Sequence, residues 1–495
     1  MDVKNRGVVL LYPRHTTGWE AQPWCDMPLG LLCVAGPLLR AGYRVRILDQ
    51  RVEPDWRQAL EQELREGPLC VGISSTTGPQ LRHALEASRL VKQHPGIPVV
   101  WGGVHPSILP EQTLQEECVD FVVQGEGEES FLELVRTLEN SGPPSAVRGI
   151  WYKEDGHILH TPPRPFVDLS RQPPLPWHLV EARRYVRTVF GAERLSFSMS
   201  RGCPQGCAFC MSTSFHQRRW RRLDPDVAVE RLADFVAQHN VRGILLTDAN
   251  FFVDLAWARR VLQGIVERKL DIVFTRLHIS FASLCRLTDD DLDLLEQAGC
   301  ACLATGIESG APRIQTLLHK EIDNDRLLAL NRRLSRRRFM LLYFFMIGFP
   351  TESKDELRQT VELFSKLVDE NPRASKSVNI YTPFPGTELF DLSVQWGLRA
   401  PQKTVDWVSF NYRSNRPASQ WLDKEMRQLV AMLDFCAFFV DSRSYRTPFK
   451  QTAPWVVLMS RLYTPLARLR VKHLWARWPW EVKLARALRL YGKQE

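Results

Sequence analysis

Two successive series of short apolar, β-rich runs, each run followed by a stretch with helical spacing, constrain this 495-residue chain more than any other feature. In residues 1–140 the strand-like runs are Val8–Tyr12, Tyr43–Leu48, Leu69–Ser74, Ile97–Trp101 and Asp120–Val123. Leu29–Ala41, Trp56–Arg65, Leu81–Gln93 and Ser130–Leu138 have helical spacing. Repeated β-α-β units of this length predict a doubly wound, Rossmann-like parallel sheet. Residues 141–192 are richer in Pro and Gly and read as a linker with a small hairpin around Asp155-Gly156. A second series fills residues 193–395, with strands expected at Leu195–Ser200, Gly243–Thr247, Asp271–Thr275, Cys302–Ile307, Met340–Ile347 and Ser377–Tyr381. Six β/α units fit a partial (β/α)6 barrel, whose active site is expected at the C-terminal ends of the strands. Residues 396–495 read as a helical, basic C-terminal region. The fold class is therefore α/β throughout the first two domains.

The net charge of +9 is local: residues 441–495 carry 12 Lys or Arg against 3 Asp or Glu, which accounts for the whole surplus. There Arg461, Arg468, Arg470, Lys472, Arg477, Lys483, Arg486 and Arg489 alternate with Leu, Tyr and Trp. A basic amphipathic segment with aromatics suits a membrane interface. It also suits packing as core or as a lid, and, as the weakest of the three, single-stranded nucleic acid. A membrane-surface tail would favour an apolar substrate. The first residues show no secretory leader, and no run of 18 or more apolar residues occurs. A cytoplasmic location is expected, peripheral to the inner membrane face if the tail binds lipid.

Eleven cysteines at irregular spacing in such a chain read as thiols and metal ligands rather than as disulfides. Cys203, Cys207 and Cys210 form C-x3-C-x2-C immediately after the first barrel strand. Three thiolates on one Gly/Pro-bearing loop can ligate three irons of a cubane and leave the fourth open. Structural zinc needs a fourth ligand, and none follows at zinc-finger spacing, His216 being the nearest candidate. With this loop, residues 193–390 resemble the radical S-adenosylmethionine superfamily. The resemblance implies a [4Fe–4S] cluster held by Cys203, Cys207 and Cys210. S-adenosylmethionine would sit on the open iron and be cleaved to a 5′-deoxyadenosyl radical. Thr247–Phe251, Gly306–Gly310 and Gly348–Glu352 match strand-end motifs of the family, so Asp248, Glu308, Ser309 and Gly348 are expected in the S-adenosylmethionine pocket. Pro383–Leu389 resembles a barrel-exit motif of one large branch. Trp220 and Tyr381 fall near the expected barrel mouth. A reductase, flavodoxin or ferredoxin is implied as electron donor.

The first domain resembles the cobalamin-binding domain that precedes the barrel in that branch. The matching residues are Pro28–Leu31, Leu48-Asp49, Gly72–Thr77, Val100–Pro106 and Gly125–Glu128. Ser74, Thr76, Gly102, Gly103, His105, Gly125 and Glu126 are the expected cobalamin contacts. Small residues at strand ends would let a flat macrocycle approach the backbone. Asp49–Pro54, taken as the counterpart of the Asp-x-His-x-x-Gly motif, has neither the His nor the Gly, so no histidine is expected beneath cobalt. The resemblance implies a cobalamin-dependent radical enzyme that methylates an unactivated carbon of an apolar or large substrate. A non-methylating, ring-forming or rearranging enzyme acting on a porphyrin-like substrate is the second reading. A non-catalytic cobalamin or cluster sensor is the third.

Overall fold

The computed structural model describes residues 7–15, 25–411, 417, 420–440, 454–477 and 480–481. Its first sheet contains β1 (Gly7–Tyr12), β2 (Arg44–Asp49), β3 (Cys70–Ser74), β4 (Val99–Gly102), β5 (Phe121–Val123), β6 (Ile150–Glu154) and β7 (His157–His160), in the order β2-β1-β3-β4-β5-β6-β7. The first five strands are parallel. Their interiors are nearly all apolar, as strands covered on both faces must be. The hairpin expected at Asp155-Gly156 is present. Both residues have positive φ, 49° and 80°, the backbone that a two-residue turn requires. It continues the first sheet, because β6 pairs antiparallel with β5.

The second sheet contains β8 (Arg187–Val189), β9 (Ala192–Phe197), β12 (Gly243–Leu246), β13 (Val273–His278), β14 (Cys302–Glu308), β15 (Met340–Ile347) and β16 (Ala374–Ile380). All six expected barrel strands are there, parallel and in chain order, with β8 added antiparallel at the edge. A separate ribbon, β10 (Ser200–Arg201) and β11 (Arg221–Arg222), closes the base of the cysteine loop. The intervening helices begin where side chains can satisfy their first N–H groups. Asp224 caps the helix that opens on Pro225, and Ser353 forms a capping box with Glu356.

The alternation along β15 defines the inside of the barrel. Leu341, Tyr343, Phe345 and Ile347 are buried under the outer helices, where Tyr343 Oη donates to Asn331 Oδ1 at 3.1 Å. Met340, Leu342, Phe344 and Met346 point the other way and stay half-exposed. A half-sheet with six parallel strands does not close, so its inner face lines a chamber rather than a packed core.

The C-terminal region is helical where described. Lys424–Val440 covers β16, and Pro454–Lys472 packs back on it through Tyr463, which meets Phe435 and Phe439 edge-on. Lys483, Arg486 and Arg489 lie outside the described residues. Among the described residues no helix is long and apolar enough to cross a membrane.

At the end of β2, Asp49 and Arg51 form a buried ion pair, with Arg51 Nη2 2.6 Å from Asp49 Oδ2. Tyr185 Oη donates to the same carboxylate at 3.0 Å, and the Arg51 guanidinium lies 3.9 Å over the Tyr12 ring. Removing one member of such a pair strands the other without a counter-charge. Asp49→Ala is expected to lower the unfolding free energy by about 3–5 kcal/mol in urea titrations. Arg44→Ala, which breaks exposed pairs with Glu63 and Glu66, is expected to cost under about 1 kcal/mol.

Candidate functional site

The cysteine loop leaves β10 through Gly202, whose φ is +84°. A Cβ there would lie 2.0 Å from the Arg219 carbonyl oxygen, so the ribbon can pinch the loop only at a glycine. Cys203, Cys207 and Cys210 are free, half-buried thiols, and Cys207 neighbours both others. Burial pushes the Cys203 and Cys207 thiols up, and the Lys320 ammonium opposes this. Three backbone contacts tie the loop to the barrel. Ala208 N donates to Leu318 O, Leu389 N donates to Ala208 O, and His319 Nδ1 meets Gly206 O at 2.9 Å. Among the described residues no three His, Cys, Asp or Glu side chains converge as a single ion would require. Three soft thiols on one loop fit three irons of a cluster.

Beside the loop, β14 ends on Glu308, a buried carboxylate with φ +67°. Lys320 Nζ lies 3.2 Å from Glu308 Oε1 and donates to Gly306 O at 2.9 Å. Burial raises the Glu308 carboxyl, with Lys320 acting against it. Burial disfavours the Lys320 charge, yet Glu308 and the neighbouring thiols keep that ammonium above its ordinary range. A Cβ on Gly306 would fall 2.1 Å from Glu308 Oε1, so the glycine makes room for the carboxylate. Ser309 is committed locally: its Oγ caps Ala311 N and meets Thr360 Oγ1 at 3.0 Å. Gly348, with φ +83°, donates its N–H to Glu352 Oε2 at 2.6 Å, and its carbonyl accepts from Trp421 Nε1. Burial pushes the Glu352 carboxyl up to about 8. Asp248 lies just past the end of β12, accepting from Met199 N at 3.0 Å and Ser200 Oγ at 2.5 Å. It thereby fixes the backbone that enters the cysteine loop. Burial pushes its carboxyl up to about 6, against those hydrogen bonds.

A cleft separates the C-terminal ends of the two sheets, holding about 1440 Å³ of atom-free space, part of it open to solvent. Ser74, Gly102, Gly103, Gly125 and Glu126 line it from the first sheet, Ser198 and Thr247 from the second, and Arg201 from the ribbon. A Cβ built on Gly30 or Gly125 meets nothing within 4 Å, and one on Gly102 only the Val123 carbonyl at 3.9 Å. The walls are thus low enough for a broad, flat group to lie against the strand ends. Glu126 binds across the cleft: its carboxylate takes Arg221 at 2.6 Å, Arg201 at 3.1 Å and Val167 N at 2.9 Å. Although burial opposes it, Arg221 and Arg201 hold this carboxyl below its ordinary range. Arg201 also reaches Glu128 at 2.6 Å and Cys33 Sγ at 3.1 Å.

Not every expected residue joins these two spaces. Thr76 sits outside the cleft lining and binds Gln80. His105 is buried in the helix after β4, bonded to Thr77 Oγ1 and edge-on to Trp407. Trp220 packs on Trp257, and Tyr381 is buried against Phe349 and Trp421. Asp49–Pro54 follows the edge strand β2 and does not line the cleft, whereas Leu29 and Gly30, at the entrance to the first helix, do. Sequence reasoning passed over Arg201, Cys33 and Lys320 as site residues. Arg201 adjoins the cysteine motif and could have been found by its position. Lys320 comes back to Glu308 only through the fold.

Residues 26–135 match the family model of the B12 binding domain, and residues 197–364 that of the radical SAM superfamily. An uncharacterized methyltransferase of Pyrococcus horikoshii is 29% identical over 390 residues, 77% of this chain and 81% of the relative. The cytidylyl-2-hydroxyethylphosphonate methyltransferase of Streptomyces wedmorensis is 26% identical over 90% of this chain and 92% of its own. An anaerobic magnesium-protoporphyrin IX monomethyl ester cyclase of Synechocystis is 29% identical over 61% of each chain. The fold of OxsB, a cobalamin-dependent S-adenosylmethionine radical enzyme, superposes with a TM-score of 0.71 at 18% identity. That match covers 98% of this chain and 75% of OxsB.

The raised Asp248 carboxyl gives a pH test. Its folded value of about 6 lies above the ordinary 3.8, so its stabilising contribution is full below about pH 4 and is lost as pH rises through about 6. Asp248→Asn is expected to remove about 3 kcal/mol of the fall in unfolding free energy between pH 4 and 7, measured by denaturant titration against the unsubstituted protein.

Proposed function

Since the chain belongs to the radical SAM superfamily and carries a B12-binding domain ahead of its barrel, we propose that it is a cobalamin-dependent methyltransferase acting on an unactivated carbon. The observation that carries this reading is the single cleft onto which both sheets open their strand ends, next to three free thiols on one loop. Cys203, Cys207 and Cys210 would hold the [4Fe–4S] cluster. When bound, the cluster and S-adenosylmethionine supply radical chemistry and cobalamin supplies the transferable methyl group. Glu308 and Lys320 would orient S-adenosylmethionine beside that loop, their charges fixed against each other. Gly30, Gly102, Gly103 and Gly125 would floor the corrin, with Ser74 offering a hydroxyl at the wall. Arg201, held by Glu126 and Glu128, keeps the cysteine loop in register with the first sheet, and so sets how far apart the two cofactors stand. Radical SAM enzymes need a reductant, and a flavodoxin- or ferredoxin-type donor is the proposed partner.

The C-terminal helix adds a membrane-surface role to this reading. Leu458, Leu462 and Leu469 stand 55%, 68% and 47% exposed on one face of Pro454–Lys472, opposite buried Ala467 and Val471. Arg461, Arg468 and Lys472 flank that face, and exposed Trp475 and Trp480 follow. An apolar strip edged by cations suits an anionic lipid surface and an apolar substrate drawn from it. The reading that this strip supports is peripheral attachment to the inner face of a membrane.

Cys203→Ala, Cys207→Ala and Cys210→Ala are each expected to lose the reconstituted cluster, read as loss of about four irons per chain, while corrin binding persists. Iron retention in any one would remove that residue from the ligand set. Leu462→Glu combined with Leu469→Glu is expected to cut co-sedimentation with anionic vesicles at least tenfold. Unchanged sedimentation would leave the tail without a lipid role.

A further inference from the structure

The barrel chamber has a wall that the cofactor assignments leave unused. On β13, Arg276 and His278 stand two residues apart and therefore face the same side of the strand. The His278 ring lies parallel to Phe344, 10° between planes and 6.0 Å between centroids, across the side-chain-free Gly306 of β14. Since Phe344 belongs to the inward set of β15, Arg276 faces the chamber as well. Across β14 the same wall continues as Leu342, Phe344 and Met346, with Ser377 and Asn379 beside Phe344 and Met346 on β16.

The charges around this chamber do not balance. Lys320 is paired with Glu308, and Arg194 with Asp26 at 2.8 Å. Arg276 has no hydrogen-bond acceptor and no ion-pair partner among the described residues, and its Nε is shut off from solvent. The nearby Asp26 carboxylate is already held by Arg194, and Cys302 is a buried thiol pushed up to about 12 by that burial. A partly buried guanidinium without an acceptor is costly, and folded proteins place such groups where a ligand completes them. Its planar fork matches a carboxylate or a phosphate with two parallel hydrogen bonds.

We infer that Arg276 receives an anionic group of the substrate, a carboxylate or phosphate, whose apolar remainder lies against Leu342, Phe344 and Met346. The inference rests on the methyltransferase reading and assigns it a substrate class: an amphipathic molecule with one acidic group, inserted acid-first into the barrel. His278, kept neutral by burial and by the Arg276 charge, flanks the site and can donate one hydrogen bond without adding charge. A substrate anchored at this depth would present carbons further along its length to the strand ends, where the cysteine loop and the cleft meet.

The test is a binding measurement that needs no turnover, so its outcome stands apart from whether methyl transfer is the reaction. Reconstituted holoenzyme, saturated with S-adenosylmethionine, is titrated calorimetrically with inorganic phosphate and separately with acetate, at constant ionic strength set with chloride. A saturable response to at least one anion is expected, weakened at least tenfold in Arg276→Gln and about threefold to tenfold in Arg276→Lys, which keeps the charge but loses the fork. The response to phosphate against acetate tells which acid the site prefers. If Arg276→Gln does not fold, the Lys variant carries the comparison. Equal binding by the unsubstituted protein and a folded variant would overturn the proposal. So would a response seen only when S-adenosylmethionine is left out, because the guanidinium would then serve the cofactor's carboxylate.

Discussion

The Glu126 carboxylate, shared by Arg201 and Arg221, is the contact on which the rest of the arrangement depends. Each sheet alone offers strand ends to solvent, as any parallel α/β sheet does. The shared carboxylate turns two such edges toward one cleft and does so at the residue that precedes the cysteine loop. Its strength comes from burial: the groups are part-shielded from water, so their mutual attraction is less screened than that of the many exposed pairs on the outer helices. Arg201 adds Glu128 and the Cys33 sulfur to the same network, leaving the loop little freedom to drift from the first sheet.

Around that contact the barrel divides its labour by depth. The strand ends carry the thiols, Glu308 and Lys320. Just past the ends of β12 and β14, Asp248 and Ser309 spend their side chains on holding backbone, which fixes the turns beside those groups. Deeper in the chamber the inward residues of β13 and β15 remain half-exposed because an open half-barrel has no opposite strands to fill it. The hollow is a consequence of six strands rather than eight.

Most of the architecture was legible because periodicity reports on burial. Met340–Ile347 was placed to the residue because a continuous apolar run bounded by a Gly-Phe-Pro turn can be little other than an interior strand. The hairpin at Asp155-Gly156 was legible from turn chemistry, although its attachment to the first sheet was not, since strand partners are set by tertiary contacts. Site residues divided along a similar line. The place of Gly102, Gly103 and Gly125 in the cleft wall was legible because glycines at strand ends mark close approach. His105, expected against cobalamin, lies outside the cleft lining, bonded to Thr77 Oγ1 and edge-on to Trp407, an environment that only the tertiary fold defines. The stretch after β2 drew attention through an Asp that the structure spends on Arg51, at an edge strand remote from the cleft. Lys320 and Arg276 carry no local signature at all: one is defined by a carboxylate twelve residues away in sequence, the other by the lack of an acceptor among the described residues.

The measurement that tests the central claim most directly is an anaerobic product count on protein reconstituted with iron, sulfide and hydroxocobalamin, desalted, and given S-adenosylmethionine and dithionite. A cobalamin-dependent methyltransferase predicts about four irons and one corrin per chain, with both 5′-deoxyadenosine and S-adenosylhomocysteine released. Iron and 5′-deoxyadenosine without bound corrin or S-adenosylhomocysteine would contradict it, leaving a radical enzyme whose first domain takes no part in the chemistry.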